Sequence, residues 1–235
     1  RSLVMPPALP SRPRGTSPAI GNAPLPRPHQ SGACDRWRSH LAGFTLLAMQ
    51  RLRIDVWSDI ACPWCYVGKR RLEAALARFP RRDAVTLVWR SFELDPAGPR
   101  TAEPGGSIAA RLARKYGTGL AQADLMLRRM TATAAADGID MRFDRLRPGN
   151  TFDAHRLLHR AHEHGRQDAL KERLFRAYFT DGEAIGDPGV LARLAGEAGL
   201  DVAEARDVLA SDAHARDVRA DEEQARRLGG GGGGR

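Results

Sequence analysis

The chain has 235 residues, with 37 Lys plus Arg against 28 Asp plus Glu, a formal net charge of +9, and three cysteines. No run reaches the roughly 18 to 20 apolar residues of a membrane-spanning helix, the best candidate being Leu41 to Met49. An integral membrane protein is therefore not expected. Three cysteines are also too few for a disulfide-stapled secreted scaffold, which leaves them redox, catalytic or metal-related work.

The first 48 residues hold six arginines and a single acid, Asp35, together with eight of the fifteen prolines. They show no sustained period of 2 or 3.6, and read as a disordered Pro/Arg-rich extension, 1–48, in which Cys34 is incidental. The segment lacks the apolar core and small-x-small site of a secretory signal, so a cytoplasmic location is expected. Because the structured pattern opens abruptly at Met49, a start codon set too far upstream is the expected origin of the arm. Beyond it the charges interleave, as over Arg216 to Arg227, in the manner of solvated helix faces; neither nucleic acid nor a membrane is expected as a partner.

Leu52, Ile54 and Val56 alternate with Arg53, Asp55 and Trp57, which predicts a strand. Ser58 to Cys65 follow, and then Val67, Leu72, Ala75, Leu76 and Phe79 recur at helical spacing until Pro80 stops the helix. Val85, Leu87 and Trp89 form a second alternating run that ends at Asp95-Pro96. Strand, helix and strand over 49–104 predict a parallel βαβ unit.

From Gly105 to Leu228 the pattern is helical, with about six helices: 105–200 reads as a helical insertion domain and 201–228 as helices returning to the first unit. Gly117 and Gly138 fall where left-handed C-terminal residues are wanted. Asp187-Pro188 opens a helix that Gly199 closes, and Asp201 with Glu204 resembles a capping box. The tail 229–235 is polyglycine, which no packed element accepts.

Cys62-Pro63-Trp64-Cys65 carries the chemistry. It lies where a strand ends and a helix begins, beside unpaired N–H groups and the positive end of the helix macrodipole. Thiols in such motifs commonly titrate at roughly 3.5 to 7.5. Cys62 is expected to be the nucleophile, and Cys65, one turn deeper and shielded, the resolving thiol. Pro63 suits the first helical turn, which wastes its missing N–H, and Trp64 offers a flat apolar contact. A zinc site shared with His155, His159, His162 and His164 is the competing reading. Those histidines lie about 90 residues downstream, whereas a compact finger gathers its ligands within about 15. His155, His159 and His162 also fall opposite the apolar stripe of Ala154, Leu157, Leu158 and Ala161, so exposed histidines and no metal are expected. An inert structural pair does not suit a CxxC in this strand-to-helix context.

The stretch Ile54 to Gly68, with Trp89-Arg90-Ser91-Phe92-Glu93-Leu94, Asn150 to Leu157, Leu174 to Phe179 and Ile185-Gly186-Asp187, resembles the DsbA-like thioredoxin superfamily, most closely its FrnE-type branch. The resemblance covers about residues 50 to 228. It implies an α/β, thioredoxin-like fold with an inserted all-helical domain, and thiol-disulfide exchange at Cys62 and Cys65 with no cofactor beyond the redox-active disulfide. Asp59 is implied as a supporting residue, and His155 and Asn150 as candidates for a substrate groove. Partners would be proteins or small molecules bearing thiols or disulfides. Two other outcomes remain open: a glutathione-dependent isomerase or transferase resembling 2-hydroxychromene-2-carboxylate isomerases, whose members generally have serine at the position of Cys62, and an inactive binding protein. Family members continue into a cis-proline loop, two strands and a helix. No proline follows Pro188 here, so an incomplete fold from a truncated or frame-shifted product is expected.

Overall fold

The computed structural model describes residues 51–100 and 106–229, which fall within one compact unit, Met49–Arg235. The expected extension 1–48, with Cys34, and glycines 230–234 lie outside the described residues. Strand β1 (Leu52–Ser58) leads through helix α1 (Pro63–Ala77) to strand β2 (Val85–Ser91). The two strands pair in parallel, from Leu52 opposite Val85 to Ser58 opposite Ser91. This is the βαβ unit that the alternation predicts.

Helices α2 (Ile108–Tyr116), α3 (Leu120–Ala136), α4 (Phe152–Glu163), α5 (Gln167–Arg176), α6 (Pro188–Glu197), α7 (Val202–Ala210) and α8 (Ala215–Arg227) follow, with a π-helical turn at Ala177–Asp181 extending α5. Among the described residues there are thus seven helices after residue 105, where about six are expected. The boundary between α7 and α8 carries no glycine or proline, and His214, at φ 61°, holds the left-handed position that begins α8. Elsewhere the punctuation acts as expected: Gly117, Gly138 and Gly199 all have positive φ. Asp187 accepts from Val190 N at 2.9 Å, and Asp201 from Glu204 N at 3.0 Å.

The outer edge of β2 is covered by side chains instead of a strand. Gln167 exchanges two hydrogen bonds with the Trp89 backbone, at 3.0 and 2.9 Å. The Ser91 N–H donates to Asp221 Oδ2 at 2.9 Å, and the Glu93 N–H to Glu222 Oε1 at 3.2 Å. Residues 89, 91 and 93 point the same way along a strand, so α5 and α8 satisfy alternate backbone groups that would otherwise pair with another chain. This explains why Asp221 and Glu222 are buried.

Helix α4 is the hub, with α5, α6, α7 and α8 all packed against it. The apolar core runs from Ile60, Tyr66 and Val67 to Leu157, Leu174 and Phe179, so it joins the CxxC helix to the helical region beyond residue 105. The Tyr66 ring stacks on Phe175 at 4.8 Å with an 8° interplanar angle. Each fully buried side chain of this size contributes roughly 1.5 to 3 kcal/mol, and these contacts fix where α1 begins relative to α4 and α5.

Candidate active site

Cys62 is the N-cap of α1, in extended backbone (φ −95°, ψ 111°), with Pro63 in the first turn and no acidic residue there. Its N–H donates to the Asp59 carbonyl at 3.3 Å, closing a tight turn after β1, and its own carbonyl accepts from Cys65 N at 3.1 Å. An extended N-cap followed by proline is how this sequence places a sulfur at the helix mouth, where backbone N–H groups favour negative charge. Trp64 projects outward, 60% exposed.

Both thiols are free and half-buried. The expected contrast in shielding is therefore weaker than the sequence suggests, although Cys65 is the one packed on the apolar core. The interaction of the two neighbouring thiols is the main reason the Cys65 thiol is lowered to about 6, burial opposing it and the Asp59 backbone and Lys171 adding to it. The same interaction, with burial next, pushes Cys62 up. The two thiols titrate as one unit, so the lowered first midpoint is a property of the pair and of neither sulfur alone.

Beneath the thiols lies a polar cluster inside the apolar core. Asp59, 2% exposed, accepts from Leu94 N at 2.8 Å and Ala61 N at 3.3 Å, and its Oδ1 lies 3.3 Å from His155 Nε2. Burial raises its carboxyl, but the His155 contact and the Leu94 N–H outweigh burial and hold it below the usual carboxylate range. Burial lowers His155, against the pull of Asp59. The arrangement is a neutral imidazole donating its Nε2 proton to an ionised Asp59, with Nδ1 buried and unpartnered.

His155 is fully buried, which corrects both its expected exposure and its candidacy for the wall of a substrate groove. His159 is also largely covered, its Nε2 3.1 Å from Ser91 Oγ, while His162 and His164 are exposed. The reason is the position of α4: with four helices around it, its polar side is buried too from Asp153 to Leu158, and reaches solvent only at its C-terminal end. Asn150 is half-buried and committed to backbone. Its Oδ1 accepts from Phe152 N at 2.8 Å, and its N–H donates to Pro99 O at 2.9 Å, tying the loop after β2 to the start of α4. Among the described residues no cluster of three or more His, Cys, Asp or Glu is arranged to hold a metal.

Lys171 and Ser58 are the residues that sequence reasoning missed. Lys171 Nζ donates to the Ser58 carbonyl at 3.0 Å from a fully buried position on α5. A signal existed: Lys171 lies among Gln167, Leu170, Leu174 and Phe175, the buried face of α5, and is one of only three lysines in a chain whose other bases are arginine.

A parallel βαβ unit with two thiols at the mouth of its helix defines a thioredoxin-like dithiol protein. A model of the DSBA-like thioredoxin domain matches residues 53–232, and the chain belongs to that family. It is 28% identical over 159 residues to the uncharacterized protein YwbO of Bacillus subtilis (strain 168), covering 67% of this chain and 72% of that protein. Among solved structures it resembles the "probable DsbA oxidoreductase SCO1869" of Streptomyces coelicolor, at 47% identity and TM-score 0.71, with 76% of each chain covered. The cytosolic disulfide reductase DsbM of Pseudomonas aeruginosa shares the fold, at 18% identity and TM-score 0.51 over 78% of this chain and 82% of that one.

Proposed function

We propose that this chain is a thiol-disulfide oxidoreductase acting through Cys62 and Cys65. The observation that carries the reading is the pair of free, half-buried thiols at the mouth of α1, with Cys62 capping the helix and Cys65 packed on the core behind it. The likeness at 47% identity to a protein described as a probable DsbA oxidoreductase supports it.

Cys62 is the sulfur that engages substrate, because it caps the helix while Cys65 packs on the core. Loss of the pair's first proton, with the other kept on Cys65, leaves a thiolate on Cys62. That thiolate attacks one sulfur of a substrate disulfide; the S–S bond breaks, and the other substrate sulfur leaves as a thiolate. Cys65 then gives its proton to the thiolate already released and attacks Cys62, releasing the second substrate sulfur as a thiolate and closing the Cys62–Cys65 disulfide. Two electrons pass from the dithiol to the substrate, and the reverse sequence oxidises a substrate dithiol. Pro63 and Trp64 shape the approach. Asp59, held in place by His155, keeps a fixed negative charge below the pair, and this charge opposes a second ionisation there. Substrates are proteins or small molecules bearing thiols or disulfides, the redox group is the cysteine pair, and the setting is cytoplasmic.

The test is trapping. Cys65→Ser should accumulate mixed disulfides through Cys62 that mass spectrometry can identify, and Cys62→Ser should not. Trapping by the Cys62 variant in preference to the Cys65 variant would reverse the assignment, and trapping by neither would remove the function.

A further inference from the structure

The two outer edges of the sheet are built differently. Along β2, Gln167, Asp221 and Glu222 take up the outward backbone groups of Trp89, Ser91 and Glu93. With residues 89 and 91 turned outward, Val88 and Arg90 bond across to β1. The register, Asp55 opposite Val88 and Trp57 opposite Arg90, then turns the backbone groups of Arg53, Asp55 and Trp57 to the far side of β1. No hydrogen bond to those groups is made among the described residues, and neither a proline nor a bulge interrupts the strand. Leu52 is 51% exposed, and Ile54 and Val56 are only half-buried. A straight strand edge with open backbone groups and uncovered apolar side chains is a template for another strand.

We propose that the open edge of β1 is a dimerisation surface, pairing antiparallel with β1 of a second copy of this chain about a two-fold axis at Ile54, so that two two-stranded sheets join into one. The order of residues along the strand selects this occupant and this register. Pairing through the outward groups sets odd-numbered residues opposite odd-numbered ones, so the axis must fall on a residue. An axis at Leu52 sets Arg53 against Arg51, and one at Arg53 or Asp55 sets a charge against its own copy, all of them unfavourable. An axis at Val56 leaves Arg53 beyond the end of the second strand. With the axis at Ile54, each Arg53 stands opposite Asp55 of the second copy, Ile54 meets its counterpart, and Leu52 lies opposite Val56. Asp55 accepts from Arg53 at 2.9 Å and from Arg90 at 2.7 Å, which holds its carboxylate on the face that the second copy's Arg53 reaches. The assembly closes at two copies, because the pairing uses the open edge of each and side chains block the edge of β2.

The experiment is sedimentation velocity of the full chain, kept reduced so that no disulfide between copies contributes. A strand of seven residues on each side makes an interface at the small end of the range for specific complexes, so concentrations from about 1 to about 300 μM are needed. The expected result is a monomer that converts to a dimer as concentration rises and goes no further. A monomer throughout, or assemblies that keep growing past two copies, overturn the inference. Arg53→Asp and Asp55→Arg each create two like-charge pairs across the axis, and each should weaken self-association by about tenfold or more. An equimolar mixture of the two variants should restore the dimer, since every pair across the axis is then opposite in sign; no recovery from two folded variants overturns the inference. Where the Asp55 variant does not fold, because its contact with Arg90 is lost, Arg53→Pro decides. That change removes an outward N–H and leaves the ladder to β2 in place, so the variant should fold and stay monomeric. A folded Arg53→Asp or Arg53→Pro chain that associates like the unmodified one overturns the inference as well.

Discussion

The lowered first midpoint of the thiol pair makes the stability of the reduced chain depend on pH in a definite direction. In the folded chain the first proton leaves at about 6, whereas an ordinary thiol has a value of 9.0. Between these values the unfolded chain binds more protons than the folded one, so stability rises with pH, is fully present only above the unfolded value, and is lost as pH falls through about 6. Raising the pH from about 6 to about 7.5 should therefore add roughly 1.7 kcal/mol, since each unit well above the folded midpoint contributes about 1.4. The rise of Cys62 does not interfere, because its second proton is retained by both states over this interval. The assay is urea unfolding of the chain kept reduced, at both pH values, with the same pair of measurements on a Cys62→Ser, Cys65→Ser double variant. Subtracting the double variant removes His155 and every other group that titrates in this range. A difference within about 0.3 kcal/mol of zero, or one that falls with rising pH, would refute the lowered midpoint and with it the electrostatic account of the site.

Two further outcomes follow from particular contacts. Leu174→Ala, at a fully buried core position on α5, should cost about 2 to 5 kcal/mol in denaturant unfolding; a loss under about 1 would mean the core there collapses around the gap. Gly182 has φ +73° and a Cβ there would lie 2.7 Å from Arg145 O, whereas Gly117, at φ +62°, has nothing within 4 Å. Gly182→Ala should thus destabilise by clearly more than Gly117→Ala, which carries only the left-handed penalty of about 1 kcal/mol, and equal losses would show that the Arg145 loop yields freely.

The βαβ unit was legible because its signals are local: a strand half-buried on one face advertises its period, and proline and CxxC mark the junction that follows. The caps at Asp187 and Asp201 were legible for the same reason, each being a side chain acting three residues away. The interior of the site was not. Reading α4 as a helix with one buried stripe put His155 on its surface, whereas the neighbouring helices enclose the whole run from Asp153 to Leu158. The cover on the edge of β2 by Gln167, Asp221 and Glu222 depends on partners more than 70 residues apart in sequence, such as the 78 between Trp89 and Gln167, and periodicity carries no information about such pairs. Lys171 was hidden by residue type, since a lysine in a helix reads as solvated unless its neighbours on the same face are weighed with it.

The central claim is that Cys62 and Cys65 exchange electrons with a substrate disulfide, and the most direct measurement is the rate at which the chain reduces insulin disulfides with dithiothreitol as the electron source. The account predicts that the unmodified chain precipitates insulin well ahead of dithiothreitol alone and that Cys62→Ser removes the acceleration. An unmodified chain that is folded, has both thiols reduced and is no faster than dithiothreitol alone would contradict it.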